Sequence, residues 1–475
     1  MNNYLIKIEK FIKNKYINLY PPELKDKVVY LLQNGKRLRP ILFLLFTGED
    51  ELENTTNTKN TTNTIHNTYN INDIYINYKS KSTIIYIVAI VIEILHSLSL
   101  VLDDLPEMDD DTIRRDNPSF HIKYGIDYTN FFIYYMFNHI GLELDNCNNS
   151  FFKTKKNKTK NITKQDIEIN IKIISDIQTI IKQNINYLID GQYDDLDWYS
   201  NSNSISNSNS SNVNVFLLNT STILFLNEKD IIFELLNINN EIVNYITTID
   251  KVNEIELNIE LNIKKTSSLF NLSITSGYIL QLWKNNINYL NNVKYNKIYK
   301  LLSIFSNILG YMFQISDDIL DIESDKIKDK PNICSILDKD IVNKLLKNGC
   351  KWLYENAKLI HELMKQLFEK QDLKKQLLEK AAPKYSAHGL ENYENNSDEE
   401  CIKYDSNNYS SEDGSSEEGN NSEDGNSEDG NSDSEEVDCE EDDSVEVNSG
   451  SDIKKITFNI TVINEIIGKI ENRIK

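Results

Sequence analysis

The stretch IIYIVAIVIEILHSLSLVLDDLPEMD, residues 84–109, decides how this chain is read. From Ile84 to Leu102 it is apolar on nearly every face, the mark of a helix buried all round. It is also long enough to resemble a membrane span. Glu93 and His96 within it, and two aspartates at its end, fit the core helix of a bundle better. Pro106 has no backbone N–H and should stop the helix near Asp104, letting the loop carry Asp109 back toward Asp103. Carboxylates are rarely buried unless paired or metal-bound. In pairs they are the hard oxygen ligands that Mg²⁺ takes beside substrate phosphates.

A second cluster, Asp317-Asp318-Ile319-Leu320-Asp321, closes another apolar helical run at 297–322. Asp317 and Asp321 are one turn apart and share a helix face. Gln314 lies one turn earlier. Arg114 and Arg115 follow the first cluster. Either cluster alone reads equally well as a solvated acidic helix end. Two of them, with arginines beside one, point to a metal-bridged diphosphate between facing helices.

Strand signals are few. Helical periodicity covers 4–20, 24–34, 40–47, 83–104, 170–190, 256–280, 297–322, 339–382 and 453–474. The last begins loosely, because Ile456 to Ile463 alternates like a strand. Only 15 glycines and 7 prolines punctuate the chain. The expected fold is an all-α helical bundle with its site between core helices.

The 475 residues are enough for two or three domains. Polar tracts at about 51–78, 143–165 and 199–215 read instead as insertions in one domain spanning 1–382 and completed by a C-terminal helix at 453–475. An acidic insertion, 383–452, repeats Asn-Ser-Glu-Asp-Gly at 421–425 and 426–430. Such tracts bury too little apolar surface to offset ordering entropy and are expected to be disordered. Residues 391–450 hold 23 acidic residues and one lysine, which accounts for the whole net charge of −22. The rest of the chain, with 50 acidic and 50 basic residues, is neutral. The acidity argues against nucleic-acid binding, and the tract reads as a solvated spacer before a dedicated interaction tail.

Cys147, Cys334, Cys350, Cys401 and Cys439 are scattered with no Cys-x-x-Cys, which fits a reducing compartment and offers no zinc site. Lysines at 7, 10, 13 and 15 interrupt any secretory signal. The expected compartment is the cytoplasm, or a plastid such as an apicoplast if a leader precedes this chain. No transmembrane segment is expected.

Other candidates are weaker alone. Gly35-Lys36-Arg37-Leu38-Arg39-Pro40 opens a helix, with Lys36 and Arg39 able to reach an anion and Pro40 suited to a first turn. His96 lies two turns before Asp103 on the same face. Lys265-Thr266 stands near the start of an apolar helix. Gly191-Gln192 reads as a C-terminal cap after helix 170–190.

In order along the chain, these motifs resemble the trans-isoprenyl diphosphate synthases, the family of farnesyl, geranylgeranyl and polyprenyl diphosphate synthases. The residues that carry the likeness are Gly35 to Pro40, Glu93 to Leu100, Asp103 to Asp109 with Arg114-Arg115, Pro118 to His121, Gly191-Gln192, Lys265-Thr266 and Phe313 to Asp321. The likeness covers about 1–382 and 453–475 without the polar tracts. It implies an all-α bundle around a large cavity, as a homodimer. It implies that Asp103, Asp104, Asp109, Asp317, Asp318 and Asp321 hold three Mg²⁺ ions on an allylic diphosphate. Arg114, Lys265, Thr266, Gln314 and Lys330 would touch the same substrate. Lys36, Arg39, His96 and Arg115 would bind isopentenyl diphosphate.

The implied reaction is ionisation of the allylic C–O bond, attack by the isopentenyl double bond, and loss of a proton. Leu98, five residues before the first aspartate, and Ser99 beside it leave room where an aromatic residue would block chain growth. The likeness therefore implies geranylgeranyl diphosphate or a longer product. Departures are Leu102 where the family often has His, Asp116 and Ser267 where it often has Gly, and Asn130 to Met136 in place of a small-residue stretch. The loop after Asp325 is short, so Lys330 stands for either of two family lysines. A non-catalytic regulatory subunit typically lacks one aspartate motif. A terpene cyclase or squalene-type synthase lacks the isopentenyl-binding set. Both features are present here.

Overall fold

The apolar run at 84–102 forms the long helix Lys81–Asp103, and protein packs around it on nearly every side. It is the one helix among the described residues long and apolar enough to cross a membrane, and most of it is buried inside the bundle. In this computed structural model the described residues are 1–48, 81–153, 164–201, 249–285, 287, 293–328, 330–381 and 458–474. The expected insertions at 51–78 and 383–452 lie wholly or almost wholly outside them. One compact unit comprises Met1–Leu373 and Gly450–Lys475. Lys374–Ser449 separates from it, and its described part is the end of one helix.

The chain runs through α1 (Asn2–Asn14), a 3-10 turn (Tyr16–Leu19), α2 (Pro22–Leu32), α3 (Leu38–Phe46) and α4 (Lys81–Asp103). A two-residue hairpin pairs Ile113–Arg114 with Asn117–Pro118. Then come α5 (Phe120–Tyr124), α6 (Ile126–Lys153), α7 (Lys164–Asn201) and α8 (Ile249–Asn262). A π turn (Ile263–Ser267) leads into α9 (Ser268–Lys284), followed by α10 (Val293–Leu320), α11 (Ile322–Lys328) and α12 (Ile333–Ile336). α13 (Lys339–Ala381) and α14 (Ile460–Asn472) complete the order. Among the described residues the structure is all-α apart from the hairpin.

α9 is the central post, packing on α3, α10, α7 and α4. It tolerates burial of Ser273, Thr275 and Ser276 because their hydroxyls bond back to carbonyls one turn earlier, those of Leu269, Asn271 and Leu272. α14 starts at Asn459, whose side chain accepts from the Thr461 N–H at 3.0 Å. From Ile460 on, the expected alternation yields to a helix, with Val462, Ile463, Ile466, Ile467 and Ile470 buried on one face.

Several expected boundaries shift. The pattern at 4–20 breaks after Asn14 into the 3-10 turn, ahead of Pro21-Pro22. The polar tract expected at 143–165 begins too early: α6 continues through it to Lys153 and α7 resumes at Lys164. Met136, Ile140, Leu144 and Cys147 recur at helical spacing and are all buried, a stripe hidden by the asparagines around it. At 199–215, residues to Asn201 belong to α7.

Candidate active site

α4 ends at Asp103, and the chain then folds under its own helix end. The Asp109 N–H donates to the Asp103 carbonyl at 2.9 Å, and the Met108 N–H to that of Leu105 at 2.9 Å. Pro106 cannot continue the helix, and the tight loop brings Asp109 back beside Asp103. The hairpin then returns Arg114 onto the cluster. Arg115 and Asp116 both take positive φ, 52° and 62°, at its two-residue turn. Glycine suits such a turn, and Asp116 tolerates it because aspartate is among the few other residues that enter this region.

The members of the first pair are used differently. Asp103 accepts from Gln192 Nε2 at 2.9 Å and meets Lys265 Nζ at 3.2 Å. Asp104 is 2% exposed and bound by Arg114, which also reaches Asp111 at 3.0 Å. Burial raises the Asp104 pKa, and Arg114 offsets this only in part. Burial lowers Arg114, but bonding to Asp104 and then Asp111 outweighs it and holds its proton more tightly.

Lys265 sits in the π turn, a distortion often found at functional sites. Its ammonium joins Asp103 to Asp195, 2.6 Å away on α7, while Lys264 reaches Asp194 at 2.6 Å. Burial disfavours the charged lysine, but Asp103 and Asp195 prevail and raise its pKa. The reading of Gly191 as a helix cap is corrected: α7 runs past it to Asn201. Gly191 is there for contact, since a Cβ would stand 2.8 Å from the Lys265 backbone nitrogen. From the other side, a Cβ on Gly310 of α10 would lie 2.6 Å from the Ser267 Cα. The π turn is gripped between two glycine-surfaced helices.

The second cluster repeats the division. Asp317 is ion-paired to Arg473, which also donates to Ser316 Oγ at 3.2 Å and lies over the Phe313 ring at 4.6 Å. Burial raises Asp317, and Arg473 works against it. Asp318 is 2% exposed and accepts from Gln314 Nε2 at 2.8 Å and the Ile333 N–H at 3.1 Å. Gln314 in turn accepts from Thr266 Oγ1 at 2.8 Å. Burial pushes Asp318 up to about 7 because its partners are neutral donors. Asp321 is exposed at the helix end.

Beyond α11, Lys330 meets Asp109 at 2.6 Å and Lys328 reaches Asp111, so the loop after the second cluster closes onto the first. A basic group faces these carboxylates. Arg39 is buried over the Phe270 ring at 4.9 Å, with no partner for its Nε. Burial, with Arg115 adding to it, lowers its pKa to about 10 despite the opposing field of Glu93. His96 is partly buried, and burial and then the guanidinium groups of Arg39, Arg115, Arg114 and Arg37 push its pKa well below the usual histidine value. Lys36 and Arg39 are close enough for their charges to act on Asp317. Leu98 is fully buried in α4, and Ser99 Oγ donates to the His96 carbonyl at 2.8 Å.

The donor set suits Mg²⁺, as carboxylates from two helix ends supply hard oxygens. Among the described residues no three such side chains converge on one point. Cations of the chain stand against them instead: Lys265 on Asp103, Lys330 on Asp109 and Arg473 on Asp317. Asp104 and Asp318 are 2% exposed and held within the protein, Asp104 by Arg114 and Asp318 by Gln314 and the Ile333 N–H. The sequence reading overlooked Asp111, Asp195, Lys328 and Arg473. Neither Asp195 nor Arg473 carries a motif by itself.

Residues 21–249 match the family model described as polyprenyl synthetase. A farnesyl diphosphate synthase from Buchnera aphidicola is 29% identical over 111 residues, 22% of this chain and 34% of that protein. Geranylgeranyl pyrophosphate synthase 10, mitochondrial, from Arabidopsis thaliana is 33% identical over 116 residues, 23% of this chain and 24% of that protein. The chain thus spans about a third or less of the length of these curated relatives. A solved geranyltransferase from Helicobacter pylori, complexed with magnesium and isoprenyl diphosphate, has a TM-score of 0.44 at 20% identity, covering 78% of this chain and 95% of that one. The fold class rests on the helices described above. The family match ends before Lys265 and the second aspartate cluster, whose places rest on the geometry alone.

Proposed function

We propose that this protein is a trans-prenyltransferase that condenses isopentenyl diphosphate with an allylic diphosphate. One observation carries the reading: charge is partitioned across the site. Asp103, Asp109 and Asp317 each pair with a cation of the chain, while Lys36, Arg39 and Arg115 have no carboxylate within ion-pair distance among the described residues. The first half suits a metal-bridged diphosphate, the second a bare one.

Asp103, Asp109, Asp317 and Asp321 would hold Mg²⁺, three ions by the family pattern, which supply positive charge to the departing diphosphate. Lys265, Thr266 and Lys330 would exchange their present partners for its oxygens, and Arg114 would keep Asp104 buried while facing the same group. Charge developing on the leaving group is neutralised by groups already in place. The allylic C–O bond breaks, the isopentenyl double bond attacks the cation, and the released diphosphate takes the proton. No side-chain base is required. Lys36, Arg39, His96 and Arg115 would hold the isopentenyl diphosphate, and a neutral His96 would donate from one ring nitrogen.

Leu98 leaves the floor beneath Asp103 without an aromatic block, which supports geranylgeranyl diphosphate or a longer product. A homodimer in the cytoplasm is the expected assembly and compartment. The regulatory-subunit reading is less well supported, because both aspartate clusters are complete. The test is incubation of the full chain with Mg²⁺, labelled isopentenyl diphosphate and dimethylallyl, geranyl or farnesyl diphosphate, followed by chromatography. The expected products reach geranylgeranyl length or beyond. No incorporation with any starter overturns the enzyme, and products no longer than farnesyl overturn the length.

A further inference from the structure

Between Lys36 and Arg39, Arg37 is the most tightly held residue of that turn. It is 3% exposed and takes a left-handed backbone, φ 53° and ψ 28°, that a side-chain-bearing residue rarely adopts. Its Nη1 donates to Glu93 Oε1 at 2.8 Å, its Nε to Glu9 Oε1 at 2.9 Å, and its Nη2 to the Leu32 carbonyl. Glu93 is 1% exposed, on α4 one turn before His96, and its second oxygen has no partner. A Cβ on Gly35 would stand 2.1 Å from Arg37 Nη1 and 2.7 Å from Glu93 Oε1. The glycine of the basic motif is thus explained by this ion pair.

We propose that Glu93 and Arg37 are positioning residues for the diphosphate subsite: their buried pair locks the turn that presents Lys36 and Arg39 beside His96 and Arg115. This rests on the reading that those four groups bind a diphosphate. The physical reason is that Lys36 and Arg39 have no ion pair of their own to fix them, so their direction is set by the backbone between them. That backbone sits in an unfavourable conformation, which persists only where surroundings over-determine it. The Arg37 fork, gripped by two carboxylates and a carbonyl, does so. Glu93 also offsets the mutual repulsion of the arginines, since its field opposes the lowering of both Arg39 and Arg115. A water-exposed ion pair would do neither.

The test uses the full chain and inorganic diphosphate, titrated calorimetrically in EDTA so that the carboxylate side takes no part. Glu93→Gln should weaken diphosphate binding about ten-fold, and Arg37→Lys about five-fold, because a buried fork cannot be replaced by a point charge. Glu9→Gln, at the half-exposed end, should weaken it about two-fold. In turnover, the KM for isopentenyl diphosphate should rise in parallel, with the KM for the allylic partner changed less than about two-fold. A merely structural tie would lower the melting temperature and leave the diphosphate Kd unchanged. That outcome overturns the inference, as do tighter binding in Glu93→Gln or equal loss for both substrates. If Glu93→Gln does not fold, an unchanged Kd in both Arg37→Lys and Glu9→Gln overturns it. Wild-type protein that fails to bind diphosphate overturns the functional reading instead.

Discussion

The two aspartate pairs carry the same residue types and end the same kind of helix, yet their buried members differ. Asp104 is neutralised by a full charge, the Arg114 guanidinium, whereas Asp318 has only an amide and a backbone N–H. In the first arrangement a full opposite charge works against the burial that raises the carboxylate. The second leaves it close to half-protonated, at about 7. The outward members behave alike: Asp103 and Asp317 each pair with a cation from elsewhere in the chain, Lys265 and Arg473. A motif specifies which residues stand at a helix end. The neighbours packed against it specify which oxygens remain available for chemistry.

The largest test separates outward from inward members. Asp103→Ala or Asp317→Ala should lower kcat by about 10³-fold, the scale of losing preorganised charge stabilisation. Asp318→Asn should stay within about ten-fold, with its magnesium activation curve unmoved. Equal losses at Asp317 and Asp318, measured by steady-state turnover, would break the distinction. A smaller effect is expected where the first cluster meets the π turn. Gly191→Ala should destabilise the fold by about 1–3 kcal/mol through overpacking, and it should displace Lys265 from Asp103. A melting temperature unchanged from wild type would show that the two helices relax apart there.

The smallest test is of pH. Asp318 binds its proton more tightly in the fold, at about 7, than in the unfolded chain, at 3.8. Its contribution to stability is therefore fully present below about pH 4 and is lost as pH rises through 7. Urea unfolding of magnesium-free protein between pH 5 and 8 should show falling stability, and Asp318→Asn should flatten that fall. An identical slope in the variant would place the titration on the other raised carboxylates, Asp104, Asp317 or Asp325.

How much was legible in sequence differs between the site's parts. The break at Pro106 and the return of Asp109 followed from local backbone chemistry, and the structure contains both. Gly191 was misread, because a glycine after an amphipathic run looks like a cap until a second backbone is seen lying against it. Cys147 and Leu144 were assigned to an insertion because asparagines around them diluted a stripe that helical spacing still preserves. Asp195 and Arg473 carry no motif by themselves: Asp195 lies within α7 and Arg473 just past the end of α14.

The sequence by itself determined the helical class, the core role of the 81–103 helix, the two acidic helix ends and the basic turn at 35–40, because periodicity, proline and charge act locally. Only the tertiary structure decided that Arg37 rather than its neighbours is pinned, that Asp104 is held by Arg114 and Asp318 by Gln314 and a backbone N–H, and that Lys265, Lys330 and Arg473 stand against Asp103, Asp109 and Asp317. Those outcomes depend on which distant groups share a desolvated space. There a partner's charge and distance set both the protonation of a carboxylate and its freedom to bind.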